Sequence, residues 1–587
     1  MPNPLVSIPG LGKVKGVVVE EQPKVVKFLN VPYATVPERW RPSIRAQSWQ
    51  GVRDCTQQGP MCHQPKSGNP LVSMAAGDDD DEGEGHIKNA KPPMFDEETC
   101  LNLNIFVPKD HLEHAQSLLP VMVWIHGGGF KDGGNGLSLY DASNLVARSI
   151  EVGRPVIVVT INYRLNFFGF LACKELIEDM QQDPRFKDAT MYDKCVGNWG
   201  IKDQRLAFEW VRDHIVVFGG HPTNVTAFGE SAGAVSIAYH MVIPQHHGLF
   251  QRAIMQSGAA TTMGTGRAAV EGQRFFDLLC RQFKLTHLSG KEKLEVLRKM
   301  PAAQLASVGD NGKVGMFSPT VDPSELRSPL SSVPQDTSFL PVDIRQILHD
   351  PNAYDPNIEA VMLGDCRDEG IMFVPELGAA SMKRWPKFVS RYCPPGQEPE
   401  FARLYGTPTK DAEALQISAQ VLSDSIFLYP IYATSRALLK TNTEGPTAQR
   451  RHKPVEIRRF HFDRPLQIVE DMGMGMGAHH AVELPFVFGS SQFAQLMTDE
   501  ERELSRRLQL IWISFAWNET QVPFLRSITN LLPADIGTAT KEAIVFTEQC
   551  TVDQGLVERL SEAKLKFWET YERWILEKRQ QPARARL

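Results

Sequence analysis

No run of eighteen apolar residues occurs anywhere in this chain, so the sequence offers no membrane-spanning helix. The opening residues, MPNPLVSIPGLGKVKGVVVEE, lack the basic start and apolar core of a secretory signal. Cysteine is scarce. There are nine in 587 residues, an odd number thinly spread, where a secreted disulfide scaffold would be denser and even. A strong charge of one sign is also missing. Sixty-three basic and 69 acidic residues leave a formal charge of −6, too mild to argue for nucleic acid or an anionic membrane as partner. No internal repeat is visible. These absences point to a soluble, cytoplasmic protein. What is present is ordinary globular composition, 42% hydrophobic and 22% charged, in a chain long enough to bury a large core.

The apolar residues are patterned as alternating strands and helices. Leu118 to His126 (LLPVMVWIH) and Arg154 to Arg164 (RPVIVVTINYR) are continuous apolar runs, the mark of strands buried on both faces. Asp203 to Phe218 carries Leu206, Trp210, Val211, Ile215 and Phe218 at helical spacing. Asn224 to Gly229 reads as a short strand, and Ala232 to Val242 as a helix. Strand, helix, strand, helix implies a parallel α/β sheet. A last helix is expected over 556–576, with its apolar positions in one stripe. Residues 77–86 (GDDDDEGEGH) cannot bury themselves. They read as an exposed acidic loop and lack the spacing of an EF-hand calcium site.

Two motifs carry chemistry. Gly229-Glu230-Ser231-Ala232-Gly233 fits the G-x-S-x-G elbow, in which a tight strand-to-helix turn lifts the serine hydroxyl clear of the sheet. The flanking glycines keep that turn free of clashes. His126-Gly127-Gly128-Gly129-Phe130 follows the first apolar strand. Consecutive glycines let backbone amides turn inward as an oxyanion hole. Gly128 and Gly129 are the expected donors, with Ala232, next after the nucleophile, as a third. A serine needs a base, and the base needs a carboxylate. In this fold the order along the chain is serine, acid, histidine. Beyond residue 369 only His452, His461, His479 and His480 remain. His461 lies in an alternating, strand-like run. For the acid, Glu359 to Gly364 reads as a strand, and Asp365, Asp368 and Glu369 follow it. The residues themselves do not choose among the three.

The chain resembles the type-B carboxylesterases of the cholinesterase-like family. The resemblance runs from about Gly16 to the last helix. It is carried by Phe28 to Tyr33 (FLNVPY), Glu98 to Asn104 (ETCLNLN), the HGGGF block, Asn162-Tyr163-Arg164, Gly197 to Trp210, and above all Phe218 to Gly233 (FGGHPTNVTAFGESAG). It implies an α/β-hydrolase fold, a large mostly parallel sheet with helices on both faces, formed as one domain over 1–587. It implies that the acid is the glutamate of an Asp-Glu-Gly motif, Glu369. The base is the histidine three residues before a glutamate, His480, with Glu483 following. Ser257, in Gln256-Ser257-Gly258, is the family's buried serine. Glu230, Ser257 and Glu483 are then expected to steady the triad.

The chain also departs from the family. Thr99 stands where the family usually has aspartate. Secreted members close a loop between cysteines that map onto Cys62 and Cys100, and in cholinesterases that loop carries a tryptophan for choline. Residues 63–99 contain no tryptophan, and Phe95 is their only aromatic side chain. A quaternary ammonium needs an aromatic cage, so a general carboxylesterase is favoured over a cholinesterase. The expected reaction is carboxylic-ester hydrolysis of a small-molecule ester through an acyl-enzyme, with no cofactor and no metal. A lipase is the close alternative, and a non-catalytic adhesion protein of the same fold the remote one. Met316 to Pro323 is the candidate acyl-pocket stretch. Cys173 and Cys195 are expected as free buried thiols. The sequons at Asn224 and Asn518 are discounted, the first because it should be buried in the elbow strand. Ala585-Arg586-Leu587 ends the chain and is a candidate peroxisomal import address.

Overall fold

The two apolar runs lie side by side in an eleven-stranded sheet. A computed structural model describes residues 3–76, 92–114, 117–262, 269–309, 316–320, 344–348, 350, 352–441, 454–518, 543–547, 550–553 and 560–580. The strands of this sheet are β1 (Val17–Val18), β2 (Val25–Pro32), β3 (Asn102–Pro108), β4 (Leu119–Ile125), β5 (Ile157–Ile161), β6 (Gly220–Glu230), β7 (Arg252–Gln256), β8 (Ala360–Cys366), β9 (Glu456–Phe462), β10 (Ala543–Phe546) and β11 (Cys550–Asp553). Their order in space is β11-β10-β9-β8-β7-β6-β4-β5-β3-β2-β1. From β5 to β10 neighbours run parallel, and the flanking pairs at either edge are antiparallel. This is the mostly parallel α/β-hydrolase sheet that the motifs imply.

Burial on both faces explains the continuous apolar runs. Along β4, Val121, Val123 and Ile125 enter one core while Met122 and Trp124 enter the other. Helices α1 (Trp199–His214) and α2 (Ala232–Val242) cover the first face. Helix α3 (Asp499–Ala516) covers the second with Leu508, Ile511 and Trp512. The chain reverses its winding at β4, between β5 and β6. Open α/β sheets bind ligands at such a switch point, outside the carboxyl ends of the strands. A bidentate pair, Arg164 to Asp203, fixes the end of β5 to α1. Both side chains are fully buried, with Nε and Nη2 each 2.7 Å from a carboxylate oxygen.

Several boundaries differ from the sequence reading. α1 begins at Trp199 rather than Asp203, and its last four residues tighten into a 3₁₀ turn, Ile215–Phe218, that stops at Gly219 with φ 85°. β6 starts at Gly220, four residues before the expected Asn224, where the chain already pairs with Leu119. Asn224 is only half-buried, and its side-chain oxygen accepts from Arg252, so the burial expected of it is corrected. The last helix, α4, runs Glu562–Gln580, with Phe567 and Trp568 in the core. The beginning of its expected span, 556–559, lies outside the described residues. So do the acidic run 77–86, most of the stretch beyond Thr320, and Ala585 to Leu587. Cys173 and Cys195 are buried free thiols. Cys62 and Cys100 face one another with Sγ atoms 2.7 Å apart.

Helix α2 is buried throughout, and its one interior polar path runs through a histidine pair. Gln204 Nε2 donates to Ser236 Oγ at 3.0 Å, and Ser236 donates to the Ala232 carbonyl at 2.8 Å. That fixes Gln204 Oε1 toward His240 Nε2, 3.0 Å away, so Nε2 carries the proton. His240 Nδ1 then accepts from His246 Nδ1 at 2.6 Å. A second proton on His240 would sit on Nδ1 and meet the His246 donor head-on. Burial accordingly holds His240 down to about 3 and His246 well below its ordinary value. An unfolded histidine titrates near 6.5. Below about pH 6.5 the unfolded chain therefore takes up protons that the native pair refuses, and stability falls as pH drops toward about 3. We expect the melting temperature to fall more steeply between pH 7 and pH 4 in the native protein than in a His240→Leu, His246→Leu double variant. Parallel curves would contradict this.

Candidate functional site

The elbow sits at the carboxyl end of β6. Ser231 has φ 52° and ψ −119°, a conformation that costs a residue with a β-carbon on the order of 1–3 kcal/mol. The turn is held by neighbours on both sides. Ser231 N donates to the Gln256 carbonyl at 2.9 Å, and Val235 N to the Ser231 carbonyl at 2.9 Å. A β-carbon at 229 would lie 2.8 Å from both the Ile125 carbonyl oxygen and the Gly233 carbon, and one at 233 would collide with the same Ile125 carbonyl. The glycines of the motif are required by this close approach of β4.

The HGGGF block leaves β4 and folds over the elbow. A β-carbon on Gly127 would strike Glu230 Oε2 and come within 3.1 Å of Ser231 Cβ. Gly128 and Gly129 have φ 97° and 60°, and Phe130 follows at 55°. The loop is pinned from outside. Phe317 N donates to the Gly129 carbonyl at 3.0 Å, Asn166 N to the Phe130 carbonyl at 2.7 Å, and Gly133 N to Gln64 Oε1 at 2.6 Å. Ala232 supplies the first amide of α2, which has no intrahelical acceptor. Gly128 and Gly129, in the loop that leaves β4, and Ala232, at the start of α2, thus flank the elbow on its two sides in the chain. Phe317, from the expected acyl-pocket stretch, stacks on Phe275 at 5.0 Å and meets Phe167 edge-on at 5.2 Å.

Of the three candidate acids, one reaches the histidine. Glu369 opens a short 3₁₀ turn beyond β8. Its Oε2 lies 2.6 Å from His480 Nδ1, and its Oε1 accepts from Cys366 N at 2.8 Å. Asp365 lies 3.0 Å from His461, its neighbour across β9. Asp368 accepts from Ala478 N at 3.0 Å and pairs with Arg367 at 2.9 Å. His480 Nε2 lies 3.0 Å from Glu230 Oε1, one residue from the nucleophile. No hydrogen bond joins His480 to the Ser231 hydroxyl itself. Phe373 and Phe427 pack on the His480 ring, with centroids 5.1 and 4.7 Å away. His479 is fully buried, with neither ring nitrogen hydrogen-bonded.

Ser257 and Glu483 lie one step further out, and neither bonds His480. Glu483 accepts from Gln256 Nε2 at 2.9 Å and from the Cys366 thiol at 3.2 Å. Ser257, with φ 48°, points its hydroxyl at Cys366 Sγ, 3.8 Å away. Trp512 from α3 donates to Gln256 Oε1 at 3.1 Å. Cys366 and Trp512 were not singled out in the sequence, and Gln256 was named only as part of the Gln256-Ser257-Gly258 motif. A lone cysteine or tryptophan has no local pattern, and only the tertiary fold brings them to Gln256 and Glu483. Burial raises the Glu230 carboxyl, and burial together with the nearby Glu230 lifts Glu483 to about 7. Burial pulls His480 down, but the Glu230 and Glu369 carboxylates push it up harder, to about 10.

The residue after His480 is strained. Ala481 has φ 71°, a left-handed conformation that costs an alanine about 1–2 kcal/mol. Glycine removes that cost but loses about 0.5–1 kcal/mol of chain entropy on folding. We expect Ala481→Gly to raise stability by up to about 1 kcal/mol, seen as a higher urea midpoint at an unchanged slope. A lower midpoint would contradict the strained geometry.

Comparison with known proteins places the whole chain. The model of the carboxylesterase family matches residues 2–568. A para-nitrobenzyl esterase of Bacillus subtilis (strain 168) is 30% identical, over 92% of this chain and 94% of its own. An acylcarnitine hydrolase of Mus musculus is 31% identical, over 83% of this chain and 78% of its own. Among solved structures, a thermophilic PNB esterase covers 96% of this chain and 100% of its own length, with a TM-score of 0.68 and 26% identity. Among the described residues no helix is long and apolar enough to cross a membrane. The chain belongs to the carboxylesterase family, and its activity is carboxylic-ester hydrolysis.

Proposed function

We propose that this chain hydrolyses small-molecule carboxylic esters through a Ser231–His480–Glu369 triad and an acyl-enzyme. The observation that carries the reading is His480, which spans from Glu369 at Nδ1 to the residue beside the nucleophile at Nε2. Catalytic hydrogen bonds are often loose before substrate binds and tighten in the Michaelis complex. In the first half-reaction Ser231 Oγ attacks the ester carbonyl while His480 Nε2 takes its proton. Glu369 holds the ring by Nδ1 and stabilises the imidazolium. The Gly128, Gly129 and Ala232 amides accept the negative charge on the carbonyl oxygen. His480 returns the proton to the departing alcohol. In the second half a water attacks the acyl carbon, its proton passing to His480; the acyl–Oγ bond then breaks, His480 returns that proton to Ser231 Oγ, and the acid departs.

Glu230 gives the site a pH signature. An imidazolium cannot accept the serine proton, so the active fraction grows as pH rises. Two carboxylates hold His480 toward the charged form. Removing the charge of one lowers its pKa. We expect Glu230→Gln to move the acid limb of the kcat/KM profile to lower pH. An unmoved or upward-shifted limb would refute that role.

Ser231→Ala should remove at least about a thousandfold of the activity, and all labelling by an organophosphonate, while leaving the circular dichroism unchanged. A folded Ser231→Ala protein with near-native turnover would end the proposal. His480→Ala should lose comparable activity and His479→Ala far less; the reverse order would reassign the base. Glu369→Gln keeps the shape but cannot stabilise imidazolium, and should cost about 10³–10⁴-fold in kcat. Asp365→Asn and Asp368→Asn should cost under about tenfold by the same aryl-ester assay.

A further inference from the structure

A second cavity opens at the other end of the sheet. Its volume is about 380 Å³, within the range of small-molecule sites. It lies beside Leu119, the first residue of β4, whereas the glycine loop leaves the far end of that strand at Ile125. Seven residues of strand separate the two, about 20 Å. The cavity is thus remote from Ser231.

The chemistry of its wall is unbalanced. Lys24 faces the cavity and takes part in no ion pair among the described residues. His111, on the short helix Lys109–His114, and Trp517, just after α3, line it as well. His111 Nε2 and Trp517 Nε1 are buried and lack a hydrogen-bond partner among the described residues. A buried polar atom left unpaired costs on the order of 1–3 kcal/mol, so two at one cavity call for a ligand or ordered solvent. An indole N–H can only donate. The occupant therefore presents an acceptor, and Lys24 asks that it be negative. The His111 ring is fixed by Gly219: a β-carbon there would lie 2.7 Å from His111 Cδ2. Leu119 and Ile150 supply apolar wall. Asp110 also lines the cavity and is unpaired among the described residues. A single negative charge is tolerable beside it, and a doubly charged group is penalised.

We propose that this cavity binds a small organic carboxylate, its charged end against Lys24, His111 and Trp517 and its apolar body against Leu119 and Ile150. Such a molecule belongs to the same chemical class as the acid released by ester hydrolysis, so the cavity is placed to sense product without touching the reacting groups. That last role rests on the ester-hydrolase reading, whereas the binding itself does not.

The test is a fluorine NMR titration of the full chain with 4-fluorobenzoate. It is repeated on Lys24→Met and on Trp517→Phe, which keeps the ring and loses only the donor. Aryl-ester turnover of each variant reports that the fold is intact. The expected result is saturable binding to the native protein and a dissociation constant raised about tenfold or more in each variant. Inorganic phosphate at the same concentration should not displace the bound carboxylate. No binding, or equal binding in all three proteins, would overturn the proposal. Displacement by phosphate would overturn the assignment to a carboxylate.

Discussion

One carbonyl oxygen sets the geometry of this enzyme. The Ile125 carbonyl, at the end of β4, occupies the space that a β-carbon on residue 229 or 233 would need. The elbow can close only because both positions are glycine. Closing it holds Ser231 at a positive φ of 52°, directly before the first residue of α2. The same strand end releases the glycine loop, so the elbow serine and the glycine block both depend on where β4 ends. The cost of the strained serine is borne by the surrounding core, where β4 and β6 are buried on both faces.

Around this contact the polar groups form a continuous buried path. Trp512 reaches Gln256, Gln256 reaches Glu483, and Glu483 takes the Cys366 thiol. The amide of Cys366 holds Glu369, which holds His480, which meets Glu230. Two carboxyl groups therefore flank one imidazole, with a third, Glu483, behind them, in a site of low dielectric. Not all of them can be charged at once without high cost, and the raised Glu230 and Glu483 carboxyls reflect it. The arrangement shares one positive charge among several acceptors.

The sequence discloses this site unevenly, for physical reasons. The elbow and the glycine triplet are local, since their backbone demands are met by neighbours in the chain, and both could be read directly. The central strands were legible because burial on both faces leaves an unbroken apolar run. The antiparallel edges are another matter. β1, β2, β10 and β11 are short or mixed in composition, and nothing in the sequence marks them as sheet edges. The acid could not be chosen from spacing. Asp365, Asp368 and Glu369 all leave the same strand, and their partners, His461, Ala478 N and His480, come from about a hundred residues further on. Family resemblance pointed to Glu369 and His480. Cys366 and Trp512 had no motif to betray them.

Those separations also set when the site comes into being. Glu369 and His480 are 111 residues apart, and Gln256 and Glu483 are 227 apart. In chain order the elbow and its glycine loop come first, whereas residue 480 follows only after β9, the strand that pairs with β8. On the proposed triad, a nascent chain halted before residue 480 holds the elbow serine without its base, so hydrolysis waits until the last part of the sheet has been made.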